Sequence, residues 1–130
     1  MSYYNSKALN SNFEKVEAQV RESLHKVGFG ILTEIDIQQK LNEKLAVEFH
    51  KYKILGACNP KFAYEALKFD SRIGTMLPCN VIIQELNDGK IEVAAINPIA
   101  SMSAVNNEDI ERVAIEVSIL LNKFIASLED

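Results

Sequence analysis

The stretch Lys53–Leu86, KILGACNPKFAYEALKFDSRIGTMLPCNVIIQEL, decides how the rest of the chain reads. Tyr52 to Cys58 has the apolar, β-rich texture of a short buried strand. Asn59-Pro60 stops it, because proline fixes its own φ and drives the preceding residue out of the α region. The same pair also starts a helix: Asn is a good N-cap and proline suits the first helical position. A helix to about Asp70 follows, with Phe62, Ala63, Ala66, Leu67 and Phe69 expected on its buried face. Ile73-Gly74 closes the connection, and Met76 to Leu86 reads as a second strand. Pro78 belongs at its start or on an edge, since it cannot donate to a ladder, and Val81-Ile82-Ile83 suits a central strand.

Working outward, Ser2 to Leu9 is a short, partly alternating first strand. Ser11 with Glu14 fits a capping box, and Phe13, Val16, Val20, Leu24 and Val27 follow at helical spacing. Gly28 stops that helix. Phe29 to Asp36 is the next strand, with Phe29, Ile31, Thr33 and Ile35 expected on one face. Gly30 marks a place where the backbone would approach something closely. Asp36 caps a short helix whose stripe is Ile37, Leu41 and Leu45, with Gln39 as its capping-box partner. The connector Val47 to Lys51 holds His50, and Phe49 is expected to pack inside.

On the other side, Asn87-Asp88-Gly89 is a hairpin turn, because Asp-Gly supplies the positive φ it needs. Lys90 to Ile96 returns as a strand, Asn97-Pro98 breaks it, and Ile99 to Val105 reads as a loop of small residues. Asn106 or Asn107 caps a last helix to about Leu128, buried along Ile110, Val113, Val117, Leu120, Leu121 and Phe124. Ile115 and Ile119 widen that stripe, as a dimer contact or a deep core would require. The element order is β-α-β-α-β-α-β-β-α. The hairpin demands an antiparallel pair, so the fold class is α+β: a two-layer α/β arrangement with a mixed, largely antiparallel sheet packed against helices.

At 130 residues and 48% hydrophobic, the chain suffices for a single domain, 1–130, with one proper core. No apolar run is long enough to span a membrane and no signal peptide is visible, so the expected compartment is the cytoplasm. A formal net charge of -4 argues against nucleic-acid binding, which is driven by phosphate neutralisation.

The candidate chemistry gathers at strand ends. Cys58 lies just before a helix N-terminus, whose positive end would stabilise a thiolate. Three readings of Cys58 and Cys79 stand side by side: buried small hydrophobes, a reactive or redox thiol at Cys58 with Cys79 as its resolving partner, or a disulfide. Their spacing matches neither a zinc pair nor a C-x-x-C motif, and the sequence names no cofactor. The helix starting near Pro60 would offer backbone N–H groups to an anion or small carboxylate, with Cys58 and Asn59 lining the pocket and Cys79 near the ligand; the plainer alternative is that Asn59-Pro60 is only a cap and a stop. Glu34 and Asp36 share a strand face and would serve as an acid/base pair or hard-metal ligands; the plainer alternative is a solvated strand end with one member capping a helix. His25 and His50 have no second ligand nearby in sequence. No Ser-His-Asp arrangement, phosphate-binding glycine loop or H-E-x-x-H motif is present.

Four ordered blocks carry a resemblance: Gly28-Phe29-Gly30-Ile31-Leu32-Thr33-Glu34-Ile35-Asp36, Tyr52-Lys53-Ile54-Leu55-Gly56-Ala57-Cys58-Asn59-Pro60, Ile73-Gly74 and Leu77-Pro78-Cys79-Asn80-Val81. Together they resemble the signature blocks of the DUF302 domain, the TT1751-like fold, over nearly the whole chain. The resemblance implies a small α/β domain that forms homodimers, and it implies no activity. The function expected from the sequence is therefore a small cytoplasmic homodimer binding a small polar or anionic ligand, or a partner, at Cys58-Asn59-Pro60. A thiol-dependent enzyme or redox protein using Cys58 with Cys79 is the alternative.

Overall fold

The structure is a computed structural model describing residues 1–130. Its strands are β1 (Tyr4–Leu9), β2 (Gly30–Asp36), β3 (Tyr52–Cys58), β4 (Cys79–Glu85) and β5 (Ile91–Ile96). They form one sheet in the order β1-β5-β4-β3-β2. Every pairing is antiparallel, so the parallel pairs that the crossover helices permit are not used. The helices are α1 (Phe13–Lys26), α2 (Ile37–Leu45), α3 (Pro60–Phe69), α4 (Pro98–Ser101) and α5 (Glu108–Ser127), with 3-10 turns at Ser71–Met76 and Ser103–Val105. No helix is long and apolar enough to cross a membrane.

The strand register sorts side chains onto two unlike faces. Lys53 pairs Ile83 and Leu55 pairs Val81; Ile83 pairs Val93 and Val81 pairs Ala95. These residues, with Leu9 and Ile91, point toward α1 and α5, and Leu9, Leu55, Val81, Ile83 and Val93 are fully buried. Val16, Val20 and Leu24 of α1 and Ile110, Leu121 and Phe124 of α5 complete that core. Each such side chain contributes about 1.5–3 kcal/mol by leaving water. The opposite face carries Tyr52, Ile54, Asn80, Ile82, Gln84, Glu92, Ala94 and Ile96, alternating with the core residues along each strand. α3 and α4 both pack against α5, at the end of the sheet where β3 and β5 finish.

Several local expectations are corrected. α1 is capped by Asn12, whose side chain accepts from Lys15 N at 2.9 Å, rather than by a Ser11–Glu14 box. A bulge between Ile31 and Thr33 splits the expected face of β2. Ile31 stays opposite Ala57 on the helix side, whereas Thr33 and Ile35 turn to the open side opposite Gly56 and Ile54. Leu67 and Phe69 are exposed, so the buried side of α3 narrows to Ala66 with Phe62 and Ala63 half-buried. Phe49 stacks on His50 with ring centroids 4.1 Å apart rather than entering the core, because its connector runs outside the sheet. The segment expected as a loop after Asn97 contains α4 and a 3-10 turn, which begin on an Asn-Pro pair just as α3 does. The close backbone approach falls at Gly56 rather than Gly30. A Cβ at Gly56 would run into Thr33 Oγ1 and lie 2.7 Å from Pro78 Cγ, while one at Gly30 would meet nothing nearer than 4.0 Å.

Candidate functional site

Two strands hand over to helices through Asn-Pro. Asn59 and Asn97 have nearly the same backbone, φ -96, ψ 105 and φ -94, ψ 104. At Asn97 the side chain closes the helix start: Oδ1 accepts from Ile99 N at 3.1 Å and Nδ2 donates to Ser2 O at 3.0 Å. At Asn59 the side chain makes no capping hydrogen bond. It lies over Gly28, where an added Cβ would stand 3.0 Å from Asn59 Nδ2. Pro60 has no N–H, and Ala63 N is taken by Asn59 O at 3.0 Å. The first-turn amides of Lys61 and Phe62 are thus left without a side-chain cap. Lys61 Nζ lies 5.7 Å from the Phe62 ring centroid, which adds positive charge at the same helix end.

Beneath this junction is a cavity of about 30 Å³, lined among others by Cys58, Asn59, Phe62, Cys79, Pro98 and Val117. Its walls are largely apolar. The three candidates Cys58, Asn59 and Cys79 therefore do meet around one hollow. A single water needs roughly 10–15 Å³ of such space, so the cavity admits a water or two, or a very short apolar group.

The cysteines are free. Burial pushes the Cys58 thiol up, opposite to the direction expected from its position before a helix start. Cys79 is more deeply buried, and that burial, with the neighbouring Cys58, pushes its thiol up to about 11.

Glu34 and Asp36 lie away from the hollow and are spent on different partners. Glu34 pairs with Lys53 at 3.0 Å and Arg21 at 2.8 Å, and both of those cations also pair with Glu17 of α1. The hydrogen bonds from Lys53 and then Arg21 hold the Glu34 carboxyl below its ordinary value. Asp36 Oδ1 accepts from Gln39 N at 3.0 Å and caps α2. Glu34 thus braces α1 against the edge of the sheet. No group of three or more His, Cys, Asp or Glu side chains is disposed to hold a metal.

A second concavity went unread in the sequence. The open face of the sheet carries a groove of about 350 Å³ lined by Tyr3, Tyr4, Tyr52, Ile82, Glu92 and Ala94 among others. Along one side, His50 Nε2 donates to Gln84 Oε1 at 2.8 Å and Gln84 Nε2 donates to Glu92 Oε1 at 2.8 Å. The signal was there: Gln84 and Glu92 interrupt apolar strands on alternating positions. It needed the strand register to put them side by side.

A family model described as "Domain of unknown function DUF302" matches residues 5–128. No curated protein matches the chain. The crystal structure of an uncharacterized conserved DUF302 protein from Bacillus stearothermophilus superposes with a TM-score of 0.90 at 23% identity, over 97% of this chain and 98% of that one. At that identity the likeness shows the fold.

Proposed function

The chain belongs to the DUF302 family, a domain of unknown function, and we propose that it works as a single-domain binding module, 1–130, that holds a small anion at the Cys58-Asn59-Pro60 junction. The ligand class that suits the site is a short-chain carboxylate. Its oxygens would accept from the uncapped amides of Lys61 and Phe62 at the positive end of α3, and a very short tail would enter the apolar cavity. The supporting observation is the contrast between an Asn59 that leaves its helix uncapped and an Asn97 that caps its own. The module acts in the cytoplasm as a homodimer. Its self-contact is the pair Ile115 and Ile119, one helical turn apart on α5 and 49% and 62% exposed.

Titration of the ¹⁵N-labelled protein with propionate tests the site, with propanol as the neutral control. Saturable shifts at the Lys61 and Phe62 amides that propanol does not reproduce, and that Asn59→Ala weakens, are the expected result. Equal shifts with both compounds, or none at those amides, count against it. Light scattering tests the dimer: the wild type should be dimeric at micromolar concentration and Ile115→Ser/Ile119→Ser monomeric, and a monomeric wild type refutes that half of the reading.

The alternative, a thiol enzyme or redox protein using Cys58 with Cys79, is favoured by the one hollow that both side chains line. Burial, which pushes both thiols up, weighs against it.

A further inference from the structure

The groove on the open face differs in kind from the junction cavity. It is over ten times larger, at about 350 against about 30 Å³, and within the range of small-ligand pockets. Its walls come from opposite corners of the sheet. Tyr4 pairs Ile96 on β1 and β5, and Tyr52 pairs Gln84 on β3 and β4, which sets the two roughly 20 Å apart along a flat sheet. Large side chains leaning in from both corners leave a floor of Ile82 and Ala94 between them. Tyr3 stacks edge-on against Tyr4 with centroids 4.9 Å apart, and His50 stacks edge-on against Tyr52 at 5.8 Å, so each wall is braced by a neighbour.

The charge of the groove has one sign. Glu92 is the only charged side chain that lines it. Its partner is the neutral amide of Gln84, itself held by His50, so the carboxylate is oriented but not neutralised. The cation–π pairs of the protein fall on Phe13, Phe62 and Tyr64, and no Lys or Arg of the chain lies over Tyr3, Tyr4 or Tyr52. Tyrosine faces attract cations through their quadrupole, and a fixed carboxylate adds direct Coulomb attraction.

We infer that this groove is a binding site for a small organic cation bearing an alkylated ammonium group, held between the tyrosines and Glu92. Alkyl groups on nitrogen suit the apolar floor and forgo hydrogen bonds that the aromatic walls cannot offer. A compact hydrated metal ion would find a single carboxylate and no further oxygen set.

The test is a titration of the full chain with choline, followed by calorimetry and by tyrosine fluorescence, which is unobscured because the chain has no tryptophan. The control is 3,3-dimethyl-1-butanol, which has the shape of choline without its charge. Choline should bind saturably and about tenfold or more tighter than the neutral analogue. Tyr52→Leu should lose roughly tenfold in affinity, Glu92→Gln several-fold, and Tyr52→Phe, which keeps the π face, should bind like wild type. Unchanged thermal melts show that the variants are folded. Equal binding of choline and its analogue, or no saturable binding, overturns the proposal. So does a result in which Tyr52→Leu alters only the oligomeric state, which would make the face a contact with a second copy. The Asn59→Ala variant should bind choline normally, which separates this site from the junction.

Discussion

Cys58-Asn59-Pro60 and Ile96-Asn97-Pro98 follow the same local rules and end differently. Each ends a strand, each has an asparagine in extended backbone, and each opens a helix with proline. Asn97 spends both ends of its amide, on Ile99 N and Ser2 O, because the N-terminal segment passes alongside it. Asn59 instead lies over Gly28, whose missing side chain makes the room. The dipeptide sets where a helix begins. What surrounds it sets whether the helix start is closed.

The contrast can be broken first at the strand that feeds the open junction. Gly56→Ala places a methyl against Thr33 Oγ1 and the rigid Pro78 ring. It should cost about 3 kcal/mol, the upper part of the overpacking range, read as a lowered denaturant midpoint. Gly30→Ala, with open space around it, should cost far less. A smaller loss attaches to the buried thiol beside the open junction. The folded pKa of Cys79 is raised from 9.0 to about 11, so the folded state holds its proton more tightly than the unfolded chain. The associated stability is fully present below pH 9 and is lost as pH rises from 9 to about 11. It amounts to about 2–3 kcal/mol, and Cys79→Ala should remove that pH dependence in urea melts. Alkylation of either cysteine by iodoacetamide should be slow at pH 7 and still rising as pH passes 9, because the rate follows the thiolate fraction; a rate that has already levelled off at pH 7 would restore the thiol enzyme as the leading reading.

Smaller again is the effect at Gly28, whose φ of +90 disfavours any side chain. Gly28→Ala should cost about 1–2 kcal/mol and displace the Asn59 amide. If that displacement lets Asn59 cap α3, anion binding should weaken along with it.

How much of this was legible in the sequence follows from the range of the forces involved. The Asn59-Pro60 stop, the Asp36 cap and the Asp88-Gly89 hairpin rest on contacts within a few residues, and their residue types announce them. The helical stripes of α1 and α5 were readable for the same reason, whereas the exposure of Ile115 and Ile119 was not, since a deep core calls for the same residues. The bulge at Ile31/Thr33 was not, because it answers to the partner strand rather than to β2 itself. Nor was the fate of Glu34, which depends on Arg21 and Lys53 arriving from α1 and β3. Around the candidate site, the strand-to-helix junction at Cys58-Asn59-Pro60 was legible, whereas the approach of Cys79 to Cys58 and the apolar narrowness of the hollow were not. That property comes from Pro98, Met102 and Val117, distant residues brought in when α4 and α5 fold back over the sheet end.

The open junction depends on Asn59 being free of structural duty. The direct measurement is equilibrium denaturation of Asn59→Ala beside Asn97→Ala, at matched m-values. Removing a working N-cap costs about 1 kcal/mol, so Asn97→Ala should lose that much and Asn59→Ala only a few tenths. Equal losses at the two positions would mean that Asn59 is an ordinary helix cap, and the junction would no longer be a place held open for a ligand.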